Sequence, residues 1–307
     1  MTRRLSALLL AAALALPGGA VAANSKVGTS GAQFLKIGAG ARPTGMGEAF
    51  TAVADDVNAV YYNPAGLSQL KSAELTAMHT QWFQNIDYAF GAFAIPTAAG
   101  TFAISAATLQ SADIQKRGAD ESDLGTFTDL DSAYALSYGR RLGETTSVGA
   151  TARLVRSQID SASASSWGGD VGVLKKFSGS PYSVGVAARH FGQEVKFHSE
   201  GDPLPFVVDG GASGRFMNDH LLLALTLSLP RDNNVQYGGG VEWAERNADG
   251  FRYAARAGYH SLATDANGAT GLSVGAGIGY RRLDLDFAWV PMGDLGNTFR
   301  YAVLFHF

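Results

Sequence analysis

No cysteine occurs anywhere in the chain, which excludes a disulfide framework, a thiolate metal centre and a lipid anchor on an N-terminal cysteine. Charged residues make up only 17%, and the net charge of −3 gives no electrostatic footing for nucleic acid. Beyond Leu16, no apolar run approaches the ~18 residues that mark a spanning helix. The histidines are dispersed, with no H-x-x-x-H or H-E-x-x-H spacing. Gly211-Ala212-Ser213-Gly214 is followed by Arg215, so it is not a nucleophile elbow. No Ser/His/acid set can be assembled. The expectation is a protein that is not an enzyme and holds no cofactor and no metal.

The N-terminus carries an address. Arg3 and Arg4 precede the apolar stretch Leu5–Leu16, and Ala20-Val21-Ala22 closes it as a small-residue cleavage site. That is a secretory signal peptide over residues 1–22, too short in its apolar part to be a membrane anchor. The remainder divides into an N-terminal extension and plug at 23–71 and a β-domain at 72–307.

Glycine is abundant, at 38 of 307 residues, well above the usual ~7%. From residue 72 onward apolar residues recur at every second position, as in half-buried strands. Leu221, Leu223, Leu225, Leu227 and Leu229 are the clearest case, and Tyr88, Phe90, Ala92 and Ala94 form another such face. Fourteen candidate strands can be laid out, with polar gaps at Ser111–Asp129 and Gln193–Leu204. The faces opposite the apolar ones are mostly Gly, Ala and Ser, unlike the Lys- and Thr-rich outer face of a soluble sandwich. An antiparallel, up-and-down transmembrane β-barrel is expected, with the apolar faces toward lipid, in the outer membrane of a Gram-negative-type cell. The lumen then receives the charges Arg153, Asp170, Arg189, Asp209, Arg215, Glu242, Arg252, Arg256, Arg281, Asp284 and Asp286. They are placed to pair with one another, dock a plug or set selectivity. The chain ends on Tyr301, Val303, Phe305 and Phe307 at period two, the pattern of a barrel-assembly signal. Expected partners are outer-membrane lipid and the assembly machinery that reads that strand. Gly275-x-Gly277-x-Gly279 lies within a strand and reads as lumen space rather than a nucleotide loop.

One stretch breaks the alternation. In Phe34–Leu70, the residues Met46, Ala49, Phe50 and Val53 have the spacing of one helix face from Thr44 onward. Asn63-Pro64 reads as a helix cap followed by proline at the first helical position, opening a short turn through Leu70. Asp55-Asp56-x-Asn58 lacks a cation-loop pattern and reads as turn chemistry. A fourteen-stranded barrel lined by small residues is too wide to fill itself. Met46, Phe50, Val53, Tyr62, Asn63, Pro64 and Gly66 are therefore the candidate plug or gate residues.

Phe34-Leu35-Lys36-Ile37-Gly38-Ala39-Gly40-Ala41-Arg42, Gly45–Phe50, Ala54-Asp55-Asp56 and Tyr62–Leu67 together resemble the N-terminal signature of the PorV/PorQ family of FadL-like outer-membrane proteins. The resemblance implies a barrel with an N-terminal hatch folded inside it around the Asn-Pro-Ala element. It implies two functions: gated passage of small hydrophobic solutes, as in FadL-type proteins, or partnership with a type IX-type secretion system and its secreted substrates, as in PorV-type proteins. A purely structural outer-membrane protein is the third possibility.

Overall fold

The computed structural model describes residues 25–82, 86–261 and 270–307, so the expected signal peptide lies outside the described residues. In chain order the strands are β1 (Glu74–Gln81), β2 (Asp87–Thr97), β3 (Gly100–Gln110), β4 (Ile114–Arg117), β5 (Asp123–Phe127), β6 (Asp129–Leu142), β7 (Thr146–Ile159) and β8 (Ala162–Lys176). There follow β9 (Tyr182–Gly192), β10 (Val207–Phe216), β11 (Leu221–Pro230), β12 (Gln236–Arg246), β13 (Phe251–His260), β14 (Leu272–Tyr280), β15 (Leu283–Pro291) and β16 (Asn297–His306). All but β4 and β5 join one closed, antiparallel, fourteen-stranded barrel in which each strand pairs with its sequence neighbours, and β16 returns to β1. The closing seam pairs Glu74 with His306 and Ala77 with Val303, and the Phe307 N–H donates to the Ala73 carbonyl at 2.9 Å. Closure leaves no exposed edge in the barrel sheet itself.

Alternation along each strand decides which residues meet lipid. On β11, Leu223, Leu225, Leu227 and Leu229 project outward while Leu222, Ala224, Thr226 and Ser228 are buried toward the lumen. Such a belt of aliphatic and aromatic side chains suits a hydrocarbon surround. One end of the barrel carries tight turns, such as Thr97 to Gly100 and Tyr280 to Leu283. The other end carries the long connections, 111–128 and 193–206.

Within the polar gap Ser111–Asp129, β4 and β5 pair as a two-stranded hairpin outside the barrel sheet, and β3 pairs directly with β6. One expectation about the strand faces needs correction. On β2 the apolar face is reversed: Tyr88, Phe90, Ala92 and Ala94 are buried in the lumen, while Asp87 lies on the outer side. The reason is the inner partner. Tyr88 and Phe90 join the buried cluster of Phe50, Tyr61 and Tyr62, and the Tyr88 hydroxyl donates to the Ile37 carbonyl at 3.2 Å.

That partner is the segment before β1, which lies inside the barrel. It runs through a 3₁₀ turn (Gln33–Lys36), a short helix (Ala41–Gly45), a second (Ala59–Tyr62) and a 3₁₀ turn (Pro64–Gln69). The expected helix from Thr44 through Val53 does not form. Gly47 and Glu48 take left-handed φ of 60° and 58°, which ends the helix at Gly45 and folds the next residues into turns. Met46, Ala49, Phe50 and Val53 are all buried nonetheless. At the second turn Asn63 caps as the sequence suggests, its Oδ1 accepting from the Ala65 N–H at 3.2 Å.

Candidate functional site

The inserted segment sits on glycines of the wall. A Cβ on Gly149 would stand 2.3 Å from the Pro64 carbonyl carbon, and one on Gly172 2.0 Å from Asn63 Oδ1. On the opposite side, a Cβ on Gly240 would meet the Met46 carbonyl oxygen at 2.3 Å, and one on Gly258 the Gly47 nitrogen at 2.0 Å. Contacts that close require the absence of a side chain. Asn63 is fully buried and clamps both partners: its Nδ2 donates to Thr51 O at 2.9 Å within the plug and to Val173 O on β8 at 3.1 Å. Gly66 presses on the Ala54 carbonyl, and Tyr62 packs edge-on against Phe50 at 5.5 Å between ring centres. Met46, Phe50, Val53, Tyr62, Asn63, Pro64 and Gly66 thus lie together in the lumen, in contact with one another or with the wall.

Ion pairs form the second attachment. Glu242 on β12 is the hub, accepting from Arg42 Nε at 2.8 Å and Nη2 at 2.9 Å, and from Arg256 Nε at 2.6 Å. Arg256 continues to Asp286 at 2.6 Å, and Arg252 lies 3.6 Å from both Glu242 and Asp284. Arg42 also donates to Asp55 and Asp56, each at 2.7 Å, and Arg215 on β10 reaches Asp55 from the wall. Burial pushes the Asp56 carboxyl up to about 6 although Arg42 stands beside it. Elsewhere Arg153 pairs with Asp170 at 2.6 Å, and Arg189 pairs with Asp209 at 2.6 Å while stacking 5.0 Å above the Tyr61 ring.

Arg281 does not belong to this set. It lies exposed in the turn after β14 with a left-handed φ of 54°, its guanidinium over the Tyr280 ring on the outer side. The strand register ends one residue earlier than its parity assumed. Two lumen cations went unmarked in the sequence. Arg42 is embedded in the Gly-Ala-Arg signature, and Arg300 holds inward parity on β16, where it donates to the Gly38 carbonyl at 2.7 Å and to Thr44 Oγ1. Asp55 and Asp56 face Arg42, an ion-pair role that turn chemistry alone did not suggest. Tyr301 and Val303 on β16 and Phe307 just beyond it are exposed, and Phe305 is half-buried.

Space remains on both sides of the plug. Toward the long loops an open chamber of about 490 Å³ is lined mainly by Ile37, Trp82, Val290, Met292 and Leu295, with Glu48 and Arg300 among its polar groups. Beside it a polar cavity of about 60 Å³ is bounded by Lys36, Tyr62, Arg189, Asp209 and Gln236. Lys36 leaves the plug for the β11–β12 loop, where its Nζ meets Asp232 at 2.6 Å. Burial opposes ionisation of Asp232, but the hydrogen bonds from Lys36 and Gln33 override it and hold the carboxyl below its usual range. Toward the tight turns, a cavity of about 190 Å³ contains Lys176, Ser213 and Arg215.

A family model described as Uncharacterised protein family (UPF0164) matches residues 10–200. Among solved structures, the P. putida toluene transporter TodX superposes with a TM-score of 0.63 at 11% identity, covering 88% of this chain and 99% of that one. The Ralstonia pickettii toluene transporter TbuX gives 0.60 at 14% identity, over 88% and 98%. A Pseudomonas aeruginosa FadL homologue gives 0.53 at 12% identity, over 84% and 95%. At these identities the likeness is one of fold. No curated protein matches the chain.

Proposed function

The chain belongs to the UPF0164 family, and from that premise we propose that it is an outer-membrane channel whose plugged, FadL-like barrel admits small hydrophobic solutes. The observation that carries this reading is the apolar chamber above the plug. Its volume of about 490 Å³ falls in the range of small-molecule sites, and most of the surface it offers a ligand is apolar, with Ile37, Trp82, Val290, Met292 and Leu295 on the wall and Lys36, Thr44, Glu48, His260, Ser273 and Arg300 among them. The superposed structures include toluene transporters, which supports the same class of solute. The test is flux of a naphthyl probe into lipopolysaccharide-bearing vesicles holding the purified protein. Flux that is lost when Val290→Arg and Leu295→Arg fill the chamber supports the reading; equal flux with and without protein sinks it.

A second reading, a PorV-like component of a type IX-type secretion system, draws on the N-terminal signature and on the β4–β5 hairpin. That hairpin presents Ile114 and Leu124 to solvent at the long-loop end, as a protein-docking element would. Co-purification of secreted proteins, lost on trimming 113–127 to a short turn, discriminates it from solute passage.

A further inference from the structure

The plug is not equally thick everywhere. Beneath the apolar chamber lies the buried ion-pair layer of Arg42, Glu242, Arg256 and Asp286. Along the β9–β10–β11 wall consecutive plug residues, Thr51 and Ala52, border cavities on opposite sides of the plug. There the polar cavity on the long-loop side reaches Thr51, and the cavity on the tight-turn side reaches Ala52 and Val53. The two cavities share β10 as their wall, Val207 and Asp209 lining one and Ser213 and Arg215 the other. Between them the plug backbone rests on glycine: a Cβ on Gly185 would stand 2.4 Å from Thr51 O, and one on Gly211 3.0 Å from the Ala52 nitrogen.

Backbone turn bonds run from the Val53 and Ala54 N–H groups to the Phe50 carbonyl, while the carbonyls of Thr51–Val53 accept from side chains. Thr51 O accepts from Asn63 Nδ2 at 2.9 Å, Ala52 O from Ser213 Oγ at 3.0 Å, and Val53 O from Gln69 Nε2 at 2.8 Å. Three carbonyls thus depend on three side chains rather than on a helix or sheet ladder, an attachment that rotamer changes undo. On the long-loop side the buried Tyr62 hydroxyl and Thr226 Oγ1 find no hydrogen-bond partner, and both border the cavity. Buried hydroxyls in that state call for water or a polar solute. On the tight-turn side the charged groups lining the cavity are Lys176, Arg215 and Asp219, and Arg215 is shared with Asp55.

We propose that small hydrophilic solutes and ions cross the barrel along the β9–β10–β11 wall, and that Thr51–Val53 is the gate of this route. The inference rests on the reading of the chain as a membrane barrel but not on hydrophobic solutes being its cargo.

Planar-bilayer recordings of the purified full barrel in potassium chloride test it. The gate variants are Asn63→Ala and Gln69→Leu, and Thr44→Val loosens the plug at the opposite seat, where Arg300 grips it. Losing a gate hydrogen bond raises open probability about tenfold, the equivalent of ~1.4 kcal/mol, whereas Thr44→Val leaves it unchanged. The cysteine-free chain allows a second readout. Gln236→Cys above the gate and Ser183→Cys below it, introduced singly, react with an impermeant thiol reagent only from their own sides in the otherwise native chain. With Asn63→Ala added, each reacts from both sides. Heat-shifted gel migration confirms that each variant is folded. Unchanged conductance and side-exclusive labelling in folded gate variants overturn the proposal, as does equal opening by Thr44→Val. Probe flux through the apolar chamber is untouched by either result, so the two readings fail separately.

Discussion

Arg42 of the plug and Glu242 of β12 are joined at two points, Nε to Oε2 at 2.8 Å and Nη2 to Oε1 at 2.9 Å, in a site where both side chains are more than nine-tenths buried. A fork meeting a carboxylate in this geometry fixes direction as well as distance. It makes one carboxylate on the wall the meeting point of a plug cation and the wall cation Arg256.

Glu242→Leu is therefore expected to loosen the plug while leaving the barrel closed. Breaking one partner of a buried pair costs about 3–5 kcal/mol, chiefly through the charge left unpaired. Arg42 retains Asp55 and Asp56, and Arg256 retains Asp286, so the lower figure applies. Limited proteolysis should show faster cleavage within 34–70, with the heat-shifted gel band of the folded barrel preserved. An unchanged digestion pattern would contradict the role assigned to the pair.

The glycine seats give a steric prediction with an internal control. Gly149→Val places branched carbons where the Pro64 and Ala65 backbone already lies, whereas a Cβ on Gly210, on the same barrel wall, meets nothing within 4 Å. Gly149→Val should unseat the 3₁₀ turn and lower the unfolding temperature by several degrees, and Gly210→Ala should be silent within about 0.5 kcal/mol. Thermal melts of both variants in one detergent decide the matter.

These seats also explain how much of the molecule was legible beforehand. Period-two alternation exposed the strand count because lipid on one side and a crowded lumen on the other impose opposite chemistry on neighbouring residues. The excess of glycine announced close packing in the lumen, but not its partners, because each contact joins residues remote in sequence, such as Gly172 to Asn63. The rule of apolar residues outward failed on β2, where the plug supplies an apolar surface inside. The 3.6-residue spacing of Met46, Phe50 and Val53 was genuine burial without a helix, since Gly47 and Glu48 turn the chain. The lumen acids and bases were readable by parity. Their pairing was not, and Arg281 shows that parity misleads at a strand end.

Acid should release the Lys36–Asp232 tie between the plug and the β11–β12 loop. The folded-state pKa of Asp232 is depressed, so the tie contributes stability above the ordinary carboxylate range and loses it as pH falls through the lowered value. Hydrogen exchange of 30–37 should stay slow at neutral pH and accelerate only on strong acidification. Asp232→Asn should give the accelerated pattern at neutral pH. Equal protection in both chains would show that the loop is held by the backbone bond from Gly28 to the Asp232 carbonyl instead.

Finally, the hydroxyls of Ser68 in the plug and Ser147 on β7 lie 2.7 Å apart, in a chain with no other thiol to compete if both become cysteine. Ser68→Cys with Ser147→Cys should form one disulfide on oxidation and tether the Pro64–Gln69 turn to the wall without filling the chamber above. If ions pass only when the whole plug swings out, oxidation should abolish the potassium chloride conductance and reductant should restore it. If they pass a plug that stays seated and yields locally, the conductance should survive the tether. Local yielding is the expected outcome, because the turn is braced by Gly139, Gly149 and Gly172 while Thr51–Val53 hangs on three side-chain hydrogen bonds. Conductance that stops under oxidation would mean that the seated turn, not Thr51–Val53, has to move.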